Sequence, residues 1–243
     1  MNKKILLTGA TGGVGKETTK ILFQTGATVV ITGTNAKKLK VLADEINVSY
    51  GKGKVIPLAF DLTQLDKIER FSFECLGLLG KDIDIMINNA GIGYHSRIEN
   101  IDREELEEVF KINVLAPILL TSALLPHIKK NGKVINISSY LGVKAAKNTA
   151  AYTASKHALE GFSKVLRLEC ADRGISVTTI QPGAIETDFN ARTHDLEMKE
   201  LFAKRKLTRI APRVIAELIL NVVKTDSSAC IETIRIMPTE QAV

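Results

Sequence analysis

Aromatic residues are scarce: there is no tryptophan, and phenylalanine and tyrosine together make up only 5% of the 243 residues. A chain without an aromatic platform or a recognition motif does not read as a nucleic-acid binder. The net charge of +6 leaves attraction to other anions open. Cysteine is scarce as well. Cys75, Cys170 and Cys230 are odd in number, far apart and without CxxC or histidine partners, so they suggest neither a disulfide framework nor a metal site. They read as reduced, buried thiols of a cytoplasmic protein. Long apolar runs are also missing. Ile5-Leu6-Leu7, behind Lys3 and Lys4, stops at Thr8-Gly9, too short for a leader or a bilayer span, and no other stretch is expected to cross a membrane. No break in composition marks a linker. With 45% hydrophobic residues, 1–243 reads as a single domain with a large core.

What is present is a regular alternation of short apolar runs with amphipathic stretches. Strands are expected at 5–7, 28–32, 55–60, 83–87, 133–137 and 176–180, with an edge strand at 230–236. Helices are expected between them, including one from Asp102 to about His127 broken at Pro117, with Asn113 in its middle, and one carrying Tyr152 to about Asp172. Strands alternating with helices predict one parallel sheet covered on both faces. From Ala184 to Ala211 the periodicity weakens and Lys199, Lys204, Arg205, Lys206 and Arg209 accumulate. A mobile substrate lid around 188–210 and a solvated charged helix fit this segment equally well.

The first strand ends in Thr8-Gly9-Ala10-Thr11-Gly12-Gly13-Val14-Gly15, followed by an amphipathic stretch. Glycines at 9, 13 and 15 allow a tight turn and close approach of a ligand, and the amides opening the next helix would face an anion such as a pyrophosphate. The general dinucleotide fingerprint is not matched, because Thr18 stands where the third glycine would be. After the second strand, Gly33-Thr34-Asn35 offers no carboxylate for a ribose 2′-hydroxyl, and Lys37 and Lys38 follow. This favours NADP over NAD, although the lysines equally suit the solvated start of a helix. Asn88-Asn89-Ala90-Gly91 closes the fourth strand, at the crest where ligands bind in open α/β folds.

Tyr152 and Lys156 lie four residues apart and so share one face of a helix. A free tyrosine, with a pKa of about 10, is a poor proton shuttle until a nearby cation favours its phenolate. Set in order, the glycine turn, Asp61, Asn88-Asn89-Ala90-Gly91, Asn113, Ser139 thirteen residues before Tyr152, Lys156, and Pro182-Gly183 with Thr187 behind resemble a short-chain dehydrogenase/reductase over nearly the whole length.

The resemblance implies a single-domain Rossmann fold of α/β class, with about seven parallel strands, and an NADP(H)-dependent oxidoreductase acting on a small carbonyl or alcohol. It implies a catalytic set of Asn113, Ser139, Tyr152 and Lys156. Tyr152 would exchange the proton, Ser139 rather than Ser138 would hold the substrate oxygen, and Asn113 would hold a water linked to Lys156. Lys156 would hold the nicotinamide ribose and lower the phenol's pKa; a fall from about 10 to 7 corresponds to roughly 4 kcal/mol. The implied cofactor-binding residues are Gly9, Thr11, Gly13, Val14, Gly15, Thr34, Asn35, Asp61, Leu62, Asn88, Ala90, Gly91, Tyr152, Lys156, Pro182, Gly183, Ile185 and Thr187, with Asp61 at the adenine and Thr187 at the carboxamide. No metal is implied. A homo-oligomer, tetramer or dimer, is implied, with no nucleic-acid or membrane partner.

The ending Ile234-Arg235-Ile236-Met237-Pro238-Thr239-Glu240-Gln241 resembles the NADP-dependent 3-hydroxy acid and serine dehydrogenase branch, with Met237 and Glu240 in place of two arginines. A 3-oxoacyl-carrier-protein reductase and a non-catalytic cofactor-sensing regulator are the competing readings. Tyr94 and His95 are expected to shape the pocket. Tyr152→Phe should abolish turnover while cofactor binding, followed by fluorescence titration, is retained; unchanged turnover would remove the mechanism.

Overall fold

Strands buried on both faces must be apolar without alternation, and the central strands of this chain meet that condition. The computed structural model describes residues 2–49, 51–187, 189 and 208–240. All six residues of β4 (Ile83–Asn88) are buried. It lies between β1 (Lys4–Leu7) and β5 (Ile128–Ile137), with β2 (Thr28–Ile31) and β3 (Lys54–Pro57) on one side and β6 (Ser176–Pro182) and β7 (Thr233–Ile236) on the other. The order is β3-β2-β1-β4-β5-β6-β7, and every pairing is parallel. The chain order reverses between β1 and β4, which opens a crevice at the carboxyl ends of these two strands.

Successive strand residues face opposite layers. Leu7, Val29, Ile31, Ile85 and Ile87 join one core cluster with Leu22, Leu39 and Ile219. These helical residues come from α1 (Gly13–Gln24), α2 (Ala36–Asn47) and, near the carboxyl end, α7 (Pro212–Lys224). Leu6, Val30, Met86 and Val134 join the other cluster with Phe71, Leu120 and Leu166. Those come from α3 (Ile68–Leu79), α5 (Ala116–Leu124) and α6 (Ala150–Cys170).

Several details depart from the sequence expectation. β3 ends at Pro57 and β7 begins at Thr233, each three residues short of the expected limit, and Cys230, expected to be buried, is exposed. The long helix is not broken at Pro117. It is α4 (Arg103–Phe110), a π-turn at Lys111–Leu115 and then α5, whose first turn holds Pro117, where a missing N–H costs nothing. β5 begins at Ile128, five residues early, and passes through Asn131 in the left-handed region (φ 62°) beside a register shift. Its Lys129-Lys130-Asn131-Gly132 stretch hides the strand from any pattern of hydrophobicity. The run Arg103–His127 is also long and apolar enough by length and composition to cross a bilayer, contrary to the expectation of none. Here it packs into the second cluster through Ala116, Leu120 and Leu124. Apart from Phe189 and residues 208–210, the expected lid around 188–210 lies outside the described residues.

Before β3, Gly53 leaves no room for a side chain: a methyl group would stand 2.6 Å from the carbonyl oxygens of both Phe23 and Ala27. Gly53→Ala should therefore lower stability by about 1–3 kcal/mol in chemical denaturation. Gly53 lies at the amino-terminal edge of the sheet, away from the crevice at its carboxyl edge.

Candidate active site

The crevice between β1 and β4 is built by a loop that only glycine can form. Gly9 adopts φ 68°, and a methyl group on it would meet the Ala90 backbone at 2.7 Å; one on Gly15 would stand 2.3 Å from the Gly9 carbonyl oxygen. α1 opens without a side-chain cap, and no acidic residue sits in its first turn. Its first amides thus face the crevice without a side-chain partner, which is an anion site. Thr187 packs over the same turn, since a methyl on Gly13 would approach its Cγ2 to 2.9 Å. The cradle fits the pyrophosphate of a dinucleotide.

The loop is held by Asn89 and Thr8, which stand inside the two motifs quoted from the sequence. Asn89 Nδ2 donates to the Thr8 and Gly9 carbonyls, and the Thr8 hydroxyl accepts from the amides of Asn89 and Ala90. Asn88, expected to serve the cofactor and the neighbouring strand, turns its amide to the strand: Nδ2 donates to Asn136 Oδ1 at 2.8 Å and to Thr121. Asn136 in turn donates to Ser163 on α6. Two adjacent asparagines at a strand end point to opposite layers, and this alternation is the signal that could have separated their roles.

At the edge of the cradle, Asn35 caps α2 by accepting from the Lys38 amide, which leaves its Nδ2 as a donor. Thr34, Asn35, Lys37 and Lys38 are exposed there. Asp61 accepts from Thr63 through one carboxylate oxygen. Gly183 donates to the Ile236 carbonyl at the top of β6, and Ile185 bridges to Ile210.

On the other side of the crevice the end of β5 meets α6. Ser139 hydrogen-bonds toward the Tyr152 hydroxyl, whereas Ser138 is buried on the opposite side, against Gly142. The two serines therefore do not compete for one position. Lys156 Nζ donates to the Ile137 carbonyl at 2.9 Å and stands 5.8 Å from the Tyr152 ring centroid. A methyl on Gly91 would come within 3.3 Å of both Lys156 Nζ and Asn113 Oδ1, so the loop after β4 passes directly against the lysine. Asn113 lies in the π-turn, which aims its side chain inward: Oδ1 accepts from the Ile92 amide, and Nδ2 donates to the Ile92 carbonyl and to Ser155. The asparagine thus ties α4–α5, the loop and α6 together beside the lysine. Phe189 places its ring edge-on to Tyr152 at 5.2 Å, over Gly93.

The electrostatics differ from the sequence expectation. Burial pushes the Tyr152 phenol up to about 12, opposed only by the hydrogen bond with Ser139. Lys156 is not among the groups that lower it in the protein alone. Burial pulls Lys156 down to about 8, partly opposed by the charge of Glu160.

Several comparisons place this geometry among known proteins. Residues 3–197 match the short chain dehydrogenase family. The chain is 35% identical over 227 residues to Dehydrogenase/reductase SDR family member 7B of Xenopus laevis, covering 90% of this chain and 70% of that protein. It spans only 62% of the Bos taurus protein of the same name. It is 34% identical over 222 residues to the 3-oxoacyl-[acyl-carrier-protein] reductase of Aquifex aeolicus (strain VF5), covering 90% and 88% of the two chains. The closed form of a serine dehydrogenase complexed with NADP+ superposes with a TM-score of 0.88 at 27% identity, over 99% and 96% of the chains.

The depressed Lys156 value has a consequence for stability. Between about 8 and the ordinary 10.5 the unfolded chain binds the proton and the folded chain does not, so stability rises with pH across that window. Measured by denaturation, the stability of the parent relative to Lys156→Met should increase from pH 8 to 10.5, by up to about 3 kcal/mol. A flat difference would show that the ammonium is not desolvated.

Proposed function

The chain belongs to the short-chain dehydrogenase/reductase family, and on that premise we propose that it is an NADP(H)-dependent oxidoreductase for a small carbonyl or alcohol, with Tyr152 as general acid/base. The observation that carries the proposal is the convergence of Ser139, Tyr152 and Lys156 beside the uncapped start of α1. When bound, the nicotinamide supplies or accepts the hydride. Ser139 donates a hydrogen bond to the substrate oxygen, where charge grows in the transition state. Tyr152 passes its proton to that oxygen. Burial holds the phenol up to about 12, so it carries the proton that carbonyl reduction consumes. The Lys156 cation, fixed by the Ile137 carbonyl, balances the phenolate left behind and holds the ribose. Asn113 keeps the lysine's surroundings in register and holds a relay water. Phe189 and Gly93 keep bulk water from the Tyr152 ring.

NADP is favoured over NAD because Gly33-Thr34-Asn35 presents no carboxylate and Lys37 and Lys38 stand exposed at the crevice edge. The NADP+ complex of the serine dehydrogenase supports the same choice. A 3-oxoacyl-carrier-protein reductase is the second reading, favoured by the 34% identity to the Aquifex aeolicus enzyme. The proposal includes a cytoplasmic homo-oligomer. Exposed Leu115, Leu119, Val165 and Leu168 on the helical layer of α5 and α6 support the assembly.

Steady-state rates with NADPH and NADH over 3-oxo acids, hydroxy acids and oxoacyl thioesters test the proposal. We expect kcat/KM at least about tenfold higher with NADPH, equivalent to about 1.4 kcal/mol. A preference for NADH would overturn the cofactor assignment. Cofactor binding without turnover on any compound would favour the sensing regulator.

A further inference from the structure

Behind the reacting face two polar groups have no partner. The Ser138 hydroxyl and Glu160 Oε1 are buried and make no hydrogen bond among the described residues. Both abut Gly142: a methyl group there would stand 2.7 Å from the Ser138 oxygen, 3.0 Å from Glu160 Cγ and 3.2 Å from the Lys156 carbonyl oxygen. The absence of a side chain at 142 is what lets the Ser138 hydroxyl and the Glu160 side chain pack against the backbone of α6 at Lys156. Buried polar groups without partners are rare in folded proteins, and a buried carboxylate is among the costliest to keep.

Glu160 follows Lys156 by one turn of α6, and both side chains are buried on the same face. Other ionisable groups stand on the elements around this stretch: Tyr152 on α6, Tyr140 after β5, Glu108 on α4 bonded to Tyr94, His95, and Lys111 in the π-turn. Of all these, only Glu160 contributes a charge that favours the lysine cation.

We propose that Glu160 is a positioning residue for Lys156: its buried carboxylate, one turn of α6 away on the same buried face and without a hydrogen-bond partner at Oε1, keeps the lysine charged through the physiological pH range. The proposal rests on the reading that Lys156 serves the proton transfer. Without a counter-charge, an ammonium in this surrounding loses its proton closer to neutrality, and the phenolate left after proton transfer loses its balancing cation.

The test is Glu160→Gln in the full chain, which keeps the shape and removes the charge. The alkaline limb of kcat should move down by about one pH unit, a tenfold change in proton affinity. Glu160→Asp should restore much of it. A readout independent of activity is the stability difference between the Lys156 and Lys156→Met chains, measured in the Glu160→Gln background. Its rise with pH should begin about one pH unit lower. An unchanged limb with an unchanged stability window overturns the proposal, as does a change confined to melting temperature or oligomeric state. Full turnover by Lys156→Met would instead bring down the catalytic reading. The stability window would then decide by itself whether Glu160 holds the lysine's charge.

Discussion

The burial of one ammonium group governs the layout of this protein's crevice. Lys156 is almost wholly withdrawn from water, and its hydrogen bond to the Ile137 carbonyl is the only direct one among the described residues. A cation in that position is tolerated only if everything around it is placed to suit it. Gly91 brings the loop after β4 within van der Waals reach, the π-turn aims Asn113 at the same loop, and Glu160 contributes an opposing charge from one turn away. The lysine is thus the point at which β5, α6, the β4 loop and the α4–α5 junction constrain one another.

The sheet supplies the other half of the arrangement. Strands β1 and β4 lie side by side although their helices lead away in opposite directions, so their ends can face a ligand without a helix covering them. Close backbone approach then becomes the limiting requirement. Gly9 and Gly15 meet it in the cradle, and Asn89 and Thr8 keep the two strand ends together. The resulting donor-lined cradle and the Tyr152 face lie on either side of one crevice, which suits an extended two-ended ligand.

Legibility from sequence followed the range of the interaction. Strands buried on both faces read as short apolar runs, and β1, β2, β4 and β6 appear close to their expected places. β5 was shortened in the reading because Lys129-Lys130-Asn131-Gly132 looks like a turn; its pairing with Ile83 is a long-range property. The residues at Tyr152 and Lys156 were legible because helical spacing is local, and Ser139 because its distance in sequence matched a known pattern. Asparagine is a poor mid-helix residue, and the π-turn around Asn113 is the physical form of that misfit. Asn136 and Ser163 carry no sequence signal, since each acts through a partner tens of residues away.

By itself the sequence determined the class of fold and the family, because periodicity, glycine placement and motif spacing are carried along the chain. Only the tertiary structure decided how the groups of the site are tuned. It separated Ser139 from Ser138 by turning them to opposite sides of β5's end, and it gave Asn88 and Asn89 different tasks. It also raised the phenol and lowered the ammonium, where spacing alone had suggested that the lysine would depress the tyrosine. The reason is that desolvation depends on what surrounds a group in three dimensions, and four residues of helix say nothing about that.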